Sequence, residues 1–592
     1  MALTPWLAPN AYIIQVIAFA GLYVMMATGL NLLMGYAGQV SLGHAGFYGL
    51  GAYISGVLGA RFGVPAWAGT AAAAVGTGLL AFAIGVPTLK LRSYYLAMAT
   101  LGVGILCHIA FIQLHWWTGG SSGLASIPPY RLGSWELASD VQNFYLIWAV
   151  AGLALWIALN LVNSRVGRAL RGLGDSQVAA EAMGIDTAAY KVRVFVLSAV
   201  YASLAGSLYA HYITVISPEI FSFLFSVLLV LMVAIGGIGQ FWGGVLGAIP
   251  LTVLPEYLRK YGDYEIPIYG LVLIVVMMFL PQGVAGLIDR VARRFAPRRA
   301  PLPSPASRVQ GPESLSVGSQ SSVLSPRTSA PWPPAAGPLL DVESLSKHFG
   351  GIHAVDDCSF TVRAEEIVAI IGPNGAGKTT IFNIVTGVYP PTGGAVRFRG
   401  QPIHGLPPHR IAALGISRTF QNLQVFRSLS VVENVMVGCH RGARAGFLES
   451  ALPLPRPRRE ERWALERSLR CLAMAGLEGA AFAPAASLPF GQQKLLEIAR
   501  AVAAGPEFLL LDEPAAGLSG GEAEELMALI RRLRDGGITI LLVEHDMNLV
   551  MSISDRVVVL NYGQKIAEGP PAQVQDDERV IRVYLGEEVA LA

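Results

Sequence analysis

Gly372-Pro-Asn-Gly-Ala-Gly-Lys-Thr-Thr380 is the stretch on which the reading of this 592-residue chain turns. Before it runs Ile367-Val-Ala-Ile-Ile371, β-branched and apolar as a buried parallel strand should be. After it, Ile381 to Val385 continues as a helix. Strand, glycine-rich loop, Lys-Thr and helix make the G-x-x-x-x-G-K-[ST] pattern a phosphate-binding loop. The glycines Gly372, Gly375 and Gly377 let the backbone N–H groups of the loop, with Pro373, Asn374 and Ala376 between them, turn inward on a polyphosphate. The helix start at Lys378-Thr379-Thr380 adds positive potential there. Lys378 is then expected to reach the β- and γ-phosphates and the Thr379 hydroxyl to hold Mg2+.

Downstream, Phe508-Leu-Leu-Leu-Asp-Glu-Pro514 is an apolar strand delivering two carboxylates at its end. Asp512 is expected to hold Mg2+, and Glu513 to act as base or to orient the attacking water. Leu541-Leu-Val-Glu-His-Asp546 is another strand ending on polar residues, with His545 poised near a γ-phosphate.

The composition is split. The chain is 53% hydrophobic and 14% charged, yet no Asp, Glu, Lys or Arg occurs before Arg61. A net charge of +3 with dispersed Lys and Arg argues against a nucleic-acid partner. Four cysteines lie far apart without metal or disulfide spacing, which points to a reducing compartment. The N-terminus lacks a basic n-region and a small-residue cleavage site, so its first apolar segment is expected to stay in the membrane.

From about residue 11 to 287 the chain is a series of apolar runs near the length that crosses about 30 Å of hydrocarbon. They fall near 11–34, 40–60, 65–88, 94–113, 142–163, 192–212, 222–239, 243–258 and 265–285. Clusters of Arg at 165–171 and 290–299 orient the chain by the positive-inside rule, with Lys90 and Arg92 also inside. The expectation is about nine crossings, the N-terminus outside. Gly35-Tyr-Ala-Gly-Gln-Val-Ser-Leu-Gly-His-Ala-Gly46 places Gln39, Ser41 and His44 at membrane depth. Close packing through small residues and a broken helix lining a substrate path both account for it. Trp117–Gly123 is read as an external loop, Gly236-Gly-Ile-Gly239 as a tight turn, and His108 as a satisfied helix residue. In the loop Ser164–Lys191, Gln177-Val-Ala-Ala-Glu-Ala-Met-Gly184 reads as a short helix ended by glycine, suited to docking on a cytoplasmic motor or to lying at the bilayer surface, the first being favoured by the motor that follows. The Pro/Ser-rich stretch 296–338 reads as a tether, spanning on the order of 35 Å as a coil.

Between the phosphate loop and the carboxylate strand lies Leu488-Pro-Phe-Gly-Gln492, followed by the helix-like Gln493–Ala501. This resembles the LSGGQ signature of ABC transporter ATPases. The resemblance extends over residues 339–592 and implies further assignments: Phe349 stacks on adenine, Gln421 is the Q-loop glutamine that contacts Mg2+ and the attacking water, and Ala516–Ser519 is the D-loop. It also implies that Leu488, Pro489, Phe490, Gly491 and Gln492 close on the ATP of an opposing cassette. Pro489 and Phe490 depart from the signature's serine and first glycine, and Ser519 from the D-loop aspartate. Phe349-Gly-Gly-Ile-His-Ala-Val and Ser417-Arg-Thr-Phe-Gln-Asn are similar to ATPases of branched-chain amino-acid importers. Gly35–Gly46, Trp117–Gly123, Ala180–Ile185 and Pro281-Gln-Gly283 resemble the permease of those systems.

The expected architecture is therefore an all-α polytopic membrane domain (1–295, about eight to ten transmembrane helices), a linker (296–338) and an α/β P-loop ABC ATPase domain (339–592). The resemblance implies ATP and Mg2+ as cofactors and a bacterial inner-membrane location with the ATPase cytoplasmic. It also implies a second permease and second ATPase, in a heteromer or a homodimer, and a periplasmic substrate-binding protein. Urea, amide or aromatic-acid import, an exporter half-transporter and a membrane-anchored ATP switch are the rival readings.

Overall fold

The computed structural model describes residues 11–89, 93–133, 135–259, 265–280, 283–295 and 337–585. Lys90, Arg92, Pro281, Gln282 and nearly all of the 296–338 tether lie outside them. Among the described residues the chain divides into two compact units. One holds the helices up to Gly174 and from Thr187 onward in the N-terminal half, together with Gly446–Leu454. The other holds the C-terminal half together with Asp175–Asp186.

In the helical unit the apolar runs become α1 (Ala11–Asn31), α2 (His44–Phe62), α3 (Ala66–Thr88), α4 (Ser93–Gln113) and α5 (Asp140–Val162). After α6 (Arg165–Asp175), and α7 (Gln177–Ala182) of the other unit, come α8 (Thr187–Ile213), α9 (Phe223–Gly236), α10 (Gly243–Leu258), α11 (Glu265–Phe279) and α12 (Gly283–Phe295). Among the described residues five helices are long and apolar enough to cross a membrane: Ala11–Tyr36, Ala66–Thr88, Tyr95–Gln113, Asp140–Val162 and Thr187–Ile213. Four of the nine expected runs fall outside that set: 40–60 and 265–285, whose helices α2 and α11 have 19 and 15 residues, and 222–239 and 243–258. The helices of the last two have 14 and 16 residues, about 21 and 24 Å at 1.5 Å per residue, short of the hydrocarbon thickness. Large apolar side chains such as Met98, Leu106 and Leu79 stand exposed on α3 and α4, as a lipid-facing surface requires.

The small-residue stretch shows both a break in the helix and close backbone packing. A π-helical turn, Leu32–Tyr36, ends α1, and residues 37–43 run irregularly before α2 starts at His44. His44 is buried, with Nδ1 3.0 Å from Ser41 Oγ and Nε2 2.6 Å from Ser198 Oγ. At the same place backbones pack closely: a Cβ on Gly43 would collide with the Thr100 carbonyl oxygen. His108 differs from expectation, because its buried Nδ1 has no hydrogen-bond partner among the described residues. The Gly236–Gly239 turn is pinned from α1. Asn31 Nδ2 donates to the Gln240 carbonyl at 2.7 Å, and Gly239 N–H donates to Asn31 Oδ1 at 3.0 Å. Asn31→Ala leaves the Gly239 N–H unpaired and takes one of two donors from the Gln240 carbonyl, which keeps Gly243 N–H at 3.0 Å, so it should destabilise this unit by about 2 kcal/mol. Thermal unfolding of the purified chain in detergent checks this; an unshifted midpoint contradicts it.

The second unit is two sheets with helices packed both between them and on the outer face of the larger one. β1 (Leu340–Phe349), β2 (Ile352–Val362) and β4 (Gly393–Phe398) form an antiparallel sheet in the order β2-β1-β4, extended by Gln401–Pro402. β3 (Ile367–Ile371), β5 (Ile416–Arg418), β6 (Phe508–Asp512), β7 (Thr539–Val543), β8 (Arg556–Asn561) and β9 (Gln564–Gly569) form the other, ordered β9-β8-β3-β7-β6-β5. All its pairs are parallel except β8 with β9. Strands β3, β6 and β7 are buried throughout, which is why they read as continuous apolar runs. Their side chains alternate between two cores. Leu509, Leu511, Ile540 and Leu542 face the helices, while Phe508, Leu510, Leu541 and Val543 join Val342, Val355 and Phe360 of the antiparallel sheet.

Candidate active site

Three adjacent parallel strands, β3, β7 and β6, end at the same edge of the sheet, so the loops after them converge, where ligands of open α/β sheets bind. After β3 comes Gly372–Gly377, leading into α13 (Lys378–Val385). Only glycine fits two of its positions. Gly372 has φ +152°, and a Cβ there would collide with the Leu560 carbonyl oxygen. Gly377 has φ +99°, and a Cβ there would collide with the Ala354 carbonyl oxygen. Asn374 and Gly375 stand exposed at the tip, and Pro373, Thr379 and Thr380 are half-buried. Lys378 is buried and folds back, Nζ donating to the carbonyls of Gly372 (2.7 Å) and Pro373 (3.0 Å). Burial holds its pKa below the ordinary lysine value, opposed by the charges of Glu513 and Asp512.

Asp512 ends β6 fully buried. Its Oδ2 accepts from Arg418 Nη2 at 2.9 Å, and its Oδ1 has no partner among the described residues. Burial raises the Asp512 pKa, with Arg418 opposing; burial equally lowers that of Arg418, with Asp512 opposing. Arg418 also donates through Nη1 to Asn383 Oδ1 (2.6 Å) and Thr386 Oγ1 (3.0 Å), so it ties β5 and β6 to α13. Glu513 follows in the left-handed region at φ +47°, which costs a non-glycine residue strain. Its Oε1 lies 2.8 Å from His545 Nε2. A carboxylate and an imidazole at that spacing can hold and pass a proton. Glu544 braces the pair of turns: Oε1 accepts from Ala515 N–H at 2.6 Å and Oε2 from His545 N–H at 3.0 Å. Burial raises its pKa, opposed by those hydrogen bonds.

Phe349 ends β1, 42% exposed, edge-on to Tyr389 at 5.4 Å and with Lys347 Nζ 5.0 Å from its centroid. Gln421 is exposed just beyond β5. The structure does not bring Leu488–Gln492 into this cluster. Pro489 caps α16 (Phe490–Ala503), and Leu488 packs with α14 (Val431–Gly438), α15 (Pro455–Met474) and α17 (Gly520–Asp535), whereas Ala376 of the phosphate loop belongs to the other core. Phe490 and Gln492 are exposed, and Gly491 is buried against Glu522. That Glu522 forms a capping box with Ser519, whose hydrogen bonds lower its pKa.

Two connections go beyond the motifs, the first unannounced by the sequence and the second a docking helix whose partner residues it did not name. Glu497 and Arg500 of α16 are buried and 3.4 Å apart. Glu497 Oε1 accepts from Phe420 N–H at 3.3 Å and Arg500 Nη1 donates to Gln424 O at 2.6 Å, so the loop carrying Gln421 is tied on both sides to the signature helix. The second is the Asp175–Asp186 segment. Ser176 caps α7, Gly184 ends it at φ +83° as the sequence implies, and Asp175 Oδ2 accepts from Ser428 N–H (2.9 Å) and Oγ (2.7 Å). His409 Nε2 lies 4.0 Å from Asp186.

Comparison with known proteins fits this geometry. Residues 12–281 match the family of branched-chain amino acid transport system permease components. Residues 355–516 match ABC transporters, and 564–590 match branched-chain amino acid ATP-binding cassette transporters. The C-terminal half is 48% identical to the high-affinity branched-chain amino acid transport ATP-binding protein BraF of Pseudomonas aeruginosa, over 42% of this chain and 98% of that protein. It is 47% identical to LivG of Escherichia coli K12, a protein of the same description, with the same coverages. The lipopolysaccharide export ATP-binding protein LptB of Escherichia coli K12 is 35% identical over 43% of this chain and 99% of its own length. A solved nucleotide-free ATP-binding cassette from an ABC transporter is 33% identical, covering 42% of this chain and all of its own, with a TM-score of 0.38.

Proposed function

Because this chain belongs to the branched-chain amino-acid ABC transporters, with permease and ATP-binding cassette on one polypeptide, we propose that it imports branched-chain and related hydrophobic amino acids across the bacterial inner membrane. The cassette binds nucleotide and hydrolyses ATP, and the helical half makes the chain a membrane protein. The observation that carries the reading is that both halves independently match one transport system. A cassette 35% identical serves lipopolysaccharide export, so the permease match is what favours import over an exporter half-transporter.

In this reading the loop Gly372–Thr380 cradles the phosphates and Phe349 stacks on the adenine. The buried, unpartnered Asp512 Oδ1 suits a Mg2+ ligand, with Thr379 and Gln421 as the others. Mg2+ would neutralise charge developing on the phosphates. Glu513 takes the proton of the attacking water, and His545 holds Glu513 in place. The signature Leu488–Gln492 serves the site of a second cassette: its Leu488 packs in a different core from Ala376 of its own chain's phosphate loop, while Pro489, Phe490 and Gln492 are exposed. A second permease and second ATPase are therefore needed, in a heteromer more readily than a homodimer, and a periplasmic binding protein delivers the amino acid. Motion passes from Gln421 through Glu497 and Arg500 to α16, and through Ser428 to Asp175. Asp175→Ala removes two hydrogen bonds to that path, so it should cut transport about tenfold or more while ATP hydrolysis persists. Equal losses of both activities would count against the path.

The reading itself is tested by purifying the native complex and measuring uptake into vesicles with the binding protein inside or outside. ATP-dependent leucine uptake that needs the binding protein supports it. Efflux, or ATPase activity indifferent to any binding protein, overturns it.

A further inference from the structure

The hairpin of β1 and β2 carries a cluster that the nucleotide site does not use. Its strands turn at Gly350-Gly351, with Phe349 opposite Ile352 and His348 opposite His353. Directly opposed residues of an antiparallel pair share a face, and the two imidazoles stack there with centroids 3.9 Å apart and planes 27° apart. Strict alternation would put Val355, not Asp356, on that face. The register shifts between Lys347 and His348, however, since Lys347 pairs with Val355. The extra residue on β2 is Ala354, a bulge that re-aims the side chains after it. Asp356 thereby joins the two histidines, and one donor atom from each of the three lies within 4.8 Å of the others.

Two further details favour a ligand. His348 Nε2 is buried and has no hydrogen-bond partner among the described residues. Asp356 Oδ2 accepts from Gln564 Nε2 at 2.9 Å, the outer hydrogen bond that commonly orients a metal-bound carboxylate. His353 is exposed, which leaves an entry path and an open coordination position. Two imidazoles and one carboxylate suit a borderline divalent ion, whereas Mg2+ and Ca2+ prefer all-oxygen sites.

We propose that His348, His353 and Asp356 form a Zn2+ site on the β1–β2 hairpin. One imidazole swivels about its soft terminal torsion to bring its nitrogen toward the other donors. The site borders both ends of the nucleotide cradle: His348 precedes Phe349, and the bulged Ala354 presents its carbonyl to Gly377. Bound Zn2+ cross-links the two strands that carry these contacts, so zinc supply becomes an input to the ATPase.

The test uses the full-length, untagged chain in nanodiscs, freed of metal, titrated with Zn2+ against a chromophoric chelator in excess Mg2+. The wild type should take up Zn2+ at a site whose affinity falls about tenfold or more in His353→Ala. His353→Cys, which restores a zinc donor, should keep it. ATPase activity of metal-free His353→Ala equal to wild type verifies folding. No Zn2+ uptake by the wild type, or equal uptake by wild type and His353→Ala, overturns the assignment.

Discussion

Glu513→Gln is expected to lower ATP turnover by about 10²–10⁴-fold, the range a positioned general base supplies, while ATP still binds. The substitution keeps the side chain's size, and its amide can still meet His545 Nε2, 2.8 Å from Glu513 Oε1 in the wild type. The groups that hold nucleotide are untouched, since the loop glycines lie between β3 and α13 and Lys378 starts α13. What disappears is the proton acceptor. Phosphate release in a single turnover, measured beside the affinity for a fluorescent ATP analogue, separates the two effects. Hydrolysis within tenfold of wild type would remove Glu513 from the catalytic role and leave it as a turn residue. The backbone weighs against that bland role: a glutamate held at φ +47° keeps a conformation glycine would adopt without strain.

Arg418→Met should destabilise the cassette by about 3–5 kcal/mol, the cost of stranding a buried charge. Asp512 is almost completely buried and Arg418 is its ion-pair partner. The loss also frees Asn383 and Thr386. The pH dependence has a definite sign. Burial raises the Asp512 pKa and Arg418 opposes that rise, so without Arg418 the folded-state value moves further above the unfolded one. The contribution is then present below the unfolded value and is lost as pH rises through the folded one. Relative to wild type, Arg418→Met should recover stability on the acid side of neutrality, and adding Asp512→Asn should restore part of it at any pH. Denaturant unfolding of the four proteins of this cycle is the measurement. A deficit that does not change with pH would mean that the arginine acts through packing on Phe382 and Phe420, not through its charge.

The features legible from sequence are local ones. The phosphate loop, the strand ending in Asp512-Glu513 and the helix Gln177–Ala182 each declare themselves within a dozen residues, through periodicity, glycine and caps. Arg418 does not. It sits in the run Ser417-Arg-Thr-Phe-Gln, but its importance arises because β5 lies beside β6, a neighbour 94 positions away in sequence. Asn31 is one polar residue in an apolar run until the fold brings in its partner from 209 positions later. The His348, His353 and Asp356 cluster depends on a one-residue bulge that no pattern of side chains announces. Run 222–239 looks longer in sequence than its helix, Phe223–Gly236, because apolarity continues through Gly236–Gly239, where the backbone turns; run 243–258 keeps its sequence bounds and is short by itself.

The two compact units do not follow a single cut in the sequence: Asp175–Asp186 is enclosed by the first half yet belongs with the cassette, and Gly446–Leu454 the reverse. In the helical unit that second segment has its own anchors, the Ala451 carbonyl on Asn160 and Phe447 against Tyr190. The consequence is one of inheritance. Recombination at the tether would swap two genes' worth of sequence but leave each product with a foreign segment lodged in its body. Halves of unrelated ancestry should therefore mismatch at both segments, so exchanging one half alone is expected to cost more than exchanging the two together.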